Sequence, residues 1–146
     1  MRLANVYLNA SAQGAGQPRP NSAAVDYELA RLLAEKLRSI DRAARYGGEE
    51  FAILLAGAES DRAEKIAARI CLAISESRHS DVEVPITASI GVATYPHDAT
   101  TPRDLVHQAD QALYFSKYRG RNRITVYDHL HRQGSEDEVQ RELVQA

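Results

Sequence analysis

The sequence predicts an α+β fold, a palm-type or ferredoxin-like arrangement in which helices cover a mixed, largely antiparallel sheet. Three observations predict it. Segments rich in branched apolar residues alternate with segments of helical periodicity in the order strand, helix, hairpin, helix, strand, helix, strand. A Gly-Gly pair stands between two strand candidates at hairpin spacing. The chain has 146 residues, 44% of them hydrophobic, which suffices for one buried core without disulfides. The helices are long enough to cover one face of the sheet.

Residues 3–8 (LANVYL) read as the first strand, and residues 9–22, rich in Gly, Pro, Ser and Asn, as a loop. From Ala23, the recurrence of Val25, Leu29, Leu32, Leu33 and Leu37 predicts a helix to about Ser39. Residues 43–46 and 51–55 are short strands flanking Gly47-Gly48. Asp61 is placed to cap a second helix, whose apolar stripe is Ala63, Ile66, Ala67, Ile70 and Ile74 and which ends near Arg78. Residues 84–95 (VPITASIGVATY) form a central strand, with Gly91 marking a bend or a close backbone approach and Pro96 ending it. Thr101 and Pro102 open a third helix with Leu105, Ala109, Leu113 and Ser116 on one face, and Gly120 closes it. Residues 123–127 (RITVY) return as the last strand. The acidic tail, with Val139, Leu143 and Val144 at helical spacing, reads as a partner helix or a linker. The chain therefore divides into an N-terminal strand and loop (1–22), a main domain (23–128) and a tail (129–146).

Charged residues make up 26% of the chain and the formal net charge is -2, which argues against a nucleic-acid partner. Arg supplies most of the positive charge, a residue suited to forked contacts with phosphates, carboxylates and guanine edges. The single cysteine, Cys71, lies in an apolar helical stretch and reads as core packing. No segment approaches membrane-spanning length, so the chain is expected to be cytoplasmic and soluble. His79, His97, His107, His129 and His131 show no metal-ligand spacing and are expected to be solvated.

Two glycines at a hairpin tip let backbone N–H groups approach phosphate oxygens without Cβ obstruction. Glu49 and Glu50 follow directly, and because strand side chains alternate, only one of them can face a given metal. A plain turn with solvated glutamates is the ordinary meaning of a bare GGEE. Lys117 and Arg121, four apart near a helix C-terminus, can project from one face toward a phosphate, or simply suit the helix dipole. The pair Arg38-x-x-Asp41 can offer a guanidinium fork and a carboxylate to a guanine, or be a surface ion pair of little consequence.

RYGGEEF at 45–51, the apolar strand after it, SIGVA at 89–93 and ADQALYFSKYRGRN at 109–122 together resemble the GGDEF family of diguanylate cyclases over roughly residues 23–128. The resemblance implies the GGDEF fold and bacterial cyclic di-GMP signalling. It implies two domains, each holding GTP and a divalent metal, magnesium, that meet as a homodimer; each ribose hydroxyl attacks the other α-phosphorus and pyrophosphate leaves. In that frame Glu49 is the metal-binding carboxylate and Glu50 the next catalytic position. Gly47 and Gly48 line the phosphates, and Lys117 and Arg121 match the triphosphate contacts. Arg38 and Asp41, with Arg69 on the next helix, match an inhibitory site that binds cyclic di-GMP.

The chain departs from the family at its start. The usual Asp-x-Leu-Thr-Gly-Leu-x-Asn-Arg segment and the aspartate-bearing first strand are absent, and the first acidic residue is Asp26. Ungapped counting puts Val6 at the metal aspartate, Gly14 near the guanine-binding asparagine and Ala23 at the guanine-binding aspartate. Neutral Asn5 or Asn9 would be weaker metal ligands, so magnesium is expected to bind feebly or not at all. Three readings follow: a cyclic di-GMP-binding module with impaired catalysis, a working cyclase acting on GTP, and a nucleotide-free interaction domain beside a phosphodiesterase or sensor domain.

Overall fold

A computed structural model of the chain describes residues 1–12, 22–47, 49–77 and 86–133. Gly14, Gly48, His79 and the stripe Val139, Leu143 and Val144 lie outside the described residues. The elements are β1 (Leu3–Ala12), α1 (Ser22–Lys36), β2 (Arg42–Arg45), β3 (Glu50–Ala56), α2 (Ser60–Glu76), β4 (Ile86–Tyr95), α3 (Pro102–Tyr118), β5 (Arg123–Val126) and α4 (Tyr127–Gln133). They build one five-stranded sheet in the order β2-β3-β1-β4-β5. β1 lies antiparallel between β3 and β4, and the β4–β5 pair is parallel.

Alternation along the strands separates two cores. Ala4, Val6, Leu8 and Ala10 of β1 join Leu29 and Leu33 of α1 and Ile66, Ile70 and Ile74 of α2. The opposite face carries Tyr7 and Ala93, packed against Leu105, Ala109 and Leu113 of α3. The helices thus cover both faces rather than the single one expected. Gly91 explains how α3 reaches the second face, because a Cβ there would stand 2.2 Å from the Ala109 carbonyl oxygen and 2.2 Å from the Leu113 nitrogen. The helix backbone rests almost on the strand backbone, the close approach that a glycine within a strand signals.

Other expectations shift by local physics. β1 runs four residues past Leu8, since Asn9 to Ala12 pair with Ser89 to Ile86 and the ladder overrides their turn-like composition. Asp61 lies inside the first turn of α2, and the N-cap is Glu59, with no side-chain cap. Thr101 does cap α3, its side chain accepting from the Asp104 N–H at 3.2 Å, with Pro102 directly after it. Tyr127 opens α4 instead of ending β5. Cys71 is buried and its thiol donates to the Ala88 carbonyl at 3.5 Å, which fits core packing. Among the described residues, no helix is long and apolar enough to cross a membrane.

Candidate functional site

The β2–β3 hairpin is closed by the Tyr46 and Gly47 N–H groups, which donate to the Glu50 carbonyl at 2.8 and 3.3 Å. Glu49 is exposed, and its carbonyl accepts from the Ala10 N–H at 3.1 Å, so the tip is stitched to β1. Glu50 is half-buried and points to the α3 face, where Lys117 Nζ lies 3.8 Å from its Oε1. Alternation thus separates the two glutamates: one faces solvent and one faces the lysine.

Directly across the ladder from Glu50 stands Asn9, itself paired on its other side with Ser89. Opposed residues of an antiparallel pair share a face, so Asn9 and Tyr7 are the β1 side chains nearest the hairpin carboxylate. Val6, the position that ungapped counting assigned to a metal ligand, is fully buried on the other face among the α1 and α2 side chains. Strand parity corrects that assignment to an odd-numbered residue. Tyr7 is buried, its ring edge-on to Tyr46 at 5.4 Å between centroids. Burial first, then Tyr46, with Asp110 and Glu50 adding, pushes its hydroxyl up to about 12. Tyr7 therefore stays neutral at physiological pH.

β1 brings no carboxylate to the hairpin. A magnesium site wants hard anionic oxygens, and the β1 side chain opposite Glu50 is the neutral amide of Asn9, with an ammonium beside the Glu50 carboxylate and Asp110 of α3 near Tyr7 on the same face. Lys117 and Arg121 do not share a helix face, because α3 ends at Tyr118 and Arg121 adopts left-handed geometry at φ 63 beyond it. The Arg121 N–H donates to the Ser116 carbonyl at 2.9 Å, so its backbone closes the helix.

Arg38 and Asp41 form a two-pronged pair, Nε to Oδ2 at 3.1 Å and Nη2 to Oδ1 at 2.8 Å. The Arg38 N–H also donates to Oδ2 at 2.8 Å, and Nη2 donates to the Ala56 carbonyl at 2.8 Å. Burial by itself would raise the Asp41 carboxyl, but the hydrogen bonds and charge of Arg38 outweigh it and hold the group below the usual carboxylate range. Its contribution to stability is present above the unfolded value of about 3.9 and is lost as pH falls through the lowered folded value. Asp41→Asn is expected to flatten the acid limb of a melting-temperature profile taken below about pH 4. Arg69 is exposed on α2, and among the described residues no hydrogen bond or ion pair joins it to Arg38 or Asp41.

A cavity of about 680 Å³ runs between α1 and β2, with Arg38 and Asp41 at one end, Asp26 and Arg45 at the other, and Leu33 and Phe51 in its wall. Asp26 is buried and paired with Arg45 at 2.9 Å. Sequence reasoning gave no site role to Asp26 or Tyr7, and it named Asn9 only beside Asn5 as a weak substitute for a carboxylate. The signal for Asp26 was present, since it falls three and seven residues before Leu29 and Leu33 on the buried face of α1.

The family model described as diguanylate cyclase, GGDEF domain, matches residues 27–123. Among curated proteins, diguanylate cyclase A of Treponema denticola is 39% identical over 101 residues, covering 68% of this chain and 27% of that protein. The chain spans about a quarter of the curated relatives it matches. Among solved structures, the GGDEF domain of TpbB from Pseudomonas aeruginosa superposes with a TM-score of 0.75 at 34% identity, over 86% of this chain and 81% of that one. The active GGEEF domain of a diguanylate cyclase from Vibrio cholerae gives a TM-score of 0.74 at 25% identity, over 86% and 83%.

Proposed function

This chain belongs to the GGDEF family of cyclic di-GMP signalling domains, and on that premise we propose that it binds cyclic di-GMP at Arg38 and Asp41 while its own cyclase chemistry is impaired. One observation carries the reading: the β1 side chain opposite Glu50 is the neutral Asn9, where phosphoryl chemistry on GTP needs a carboxylate and a divalent ion. Arg38 spends Nε and Nη2 on Asp41 and Ala56, which orients the guanidinium and leaves the two Nη1 hydrogens to donate to a guanine edge. Arg69 joins it when the ligand is bound.

Isothermal titration tests this. Cyclic di-GMP is expected to bind with a dissociation constant on the order of micromolar, and Arg38→Ala to weaken it at least about tenfold. Incubation with GTP and magnesium is expected to release little pyrophosphate. Absence of binding at ~100 µM cyclic di-GMP, or brisk turnover of GTP, rejects the proposal.

A working cyclase is the second reading, favoured by Glu50 beside Lys117 and by the buried Asp26. Gly47 and Gly48 would line the phosphates and Glu49 would hold the metal, with Lys117 and Arg121 on the triphosphate. Asp26, three residues past Ala23, would take the guanine N–H edge, and a homodimer would bring two GTP molecules together. Cytoplasmic placement and an adjacent phosphodiesterase or sensor domain belong to the same frame.

A further inference from the structure

We propose that His97, Asp98 and Asp128 form a site for a divalent first-row transition ion of the Zn2+ class, tying the β4–α3 connection to the first turn of α4. The three side chains each offer one ligand atom, and these atoms all lie within 4.8 Å of one another. His97 Nε2 is 2.9 Å from Asp128 Oδ1 and 4.0 Å from Asp98 Oδ1. Tetrahedral zinc with bonds near 2.0–2.1 Å holds its ligands about 3.3 Å apart, so side-chain shifts of up to about 1.5 Å bring the three atoms, now within 4.8 Å, around an ion.

The surroundings favour a cation. The Asp98 side chain is 4% exposed and that of Asp128 13%, so two carboxylates meet in a largely dehydrated position. Asp98 is oriented in advance, because its Oδ2 accepts from the Thr94 N–H at 2.7 Å and from the Thr94 hydroxyl at 3.0 Å. Outer hydrogen bonds of this kind fix ligand direction in metal sites. A cavity of about 460 Å³ lined by His97 and Asp128 adjoins the cluster and has room for water as a fourth ligand. Arg2 lines the same cavity but is engaged by Glu59.

The donor set chooses the ion. An imidazole with two carboxylates suits zinc, cobalt, nickel or manganese, whereas magnesium and calcium prefer oxygen throughout. His97 Nε2 gives its lone pair to the ion and keeps the ring hydrogen on Nδ1. None of the residues assigned to nucleotide takes part, so this site stands or falls independently of cyclic di-GMP binding.

Titration of the metal-free full chain with zinc chloride tests the proposal, with Co2+ absorption as a second readout of imidazole and carboxylate ligation. One equivalent of Zn2+ is expected to bind, and His97→Ala and Asp128→Asn are each expected to weaken it about 10- to 100-fold. His129→Ala, whose ring sits 3.8 Å from Glu64, is expected to leave binding unchanged, and excess magnesium is not expected to compete. No binding of the unmodified chain at ~100 µM Zn2+ overturns the proposal, as does equal affinity in folded His97→Ala and Asp128→Asn variants. Weakening by His129→Ala alone also overturns it. If either variant fails to fold, the Co2+ spectrum of the unmodified chain decides, since bands of hexaaquo cobalt alone are incompatible with the site.

Discussion

Asn9→Asp is expected to raise magnesium-dependent formation of cyclic di-GMP from GTP by about 10- to 100-fold over the unmodified chain. Asn9 is 7% exposed and faces Glu50 across the β1–β3 ladder, and aspartate has its size and shape. The substitution supplies a hard anionic oxygen directly across the ladder from Glu50. Without magnesium it also sets two carboxylates side by side in a mostly dehydrated position, so the melting temperature should fall and recover as magnesium is added. Chromatographic measurement of product, with thermal melts at graded magnesium, reads both effects. If neither the rate nor the magnesium response of the melt changes, Asn9 does not limit magnesium binding or turnover in this domain.

Gly91→Ala is expected to cost at least about 3 kcal/mol or to prevent folding outright. The added Cβ meets the Ala109 oxygen and the Leu113 nitrogen at 2.2 Å, and both belong to helix backbone that has no rotamer to yield. Lifting α3 off β4 would open the second core and displace Tyr7, which pairs with Gly91 in the β1–β4 ladder. Gly57 provides the contrast. It has φ +71 but nothing within 4 Å of an added Cβ, so Gly57→Ala carries only backbone strain, about 1 kcal/mol. Urea denaturation of the two variants should separate them by a wide margin in midpoint.

The helices were legible because their stripes are regular: Ala63, Ile66, Ala67, Ile70 and Ile74 are all buried as their spacing requires. The hairpin was legible because a two-glycine tip between apolar runs has few other uses. The end of β1 was not, since Asn9 to Ala12 have turn-like composition and become strand only through pairing with β4 and β3. That omission carried into the site. With β1 cut at Leu8, the residue opposite Glu50 could not be identified, and counting without gaps selected Val6 on the wrong face. Likewise, the Lys117 to Arg121 spacing looked helical by count alone, although Gly120 between them marks the helix end and leaves Arg121 beyond it, in left-handed geometry after Tyr118. The His97 cluster was invisible for a different reason: Asp128 lies 31 positions away from His97 and arrives only through the parallel return of β5.

The sheet order also governs how the chain is born. β1 leaves the ribosome before the other four strands yet occupies the centre of the sheet, hydrogen-bonded on both edges. Its second partner ends at Tyr95, so at about 5–20 residues per second the nascent strand waits roughly 4 to 17 seconds with an edge unpaired. Its alternate residues Ala4, Val6, Leu8 and Ala10 are apolar, the kind of segment that pairs with a neighbouring chain when left open. Protein synthesis rate and early chaperone capture therefore bear on the yield of this domain.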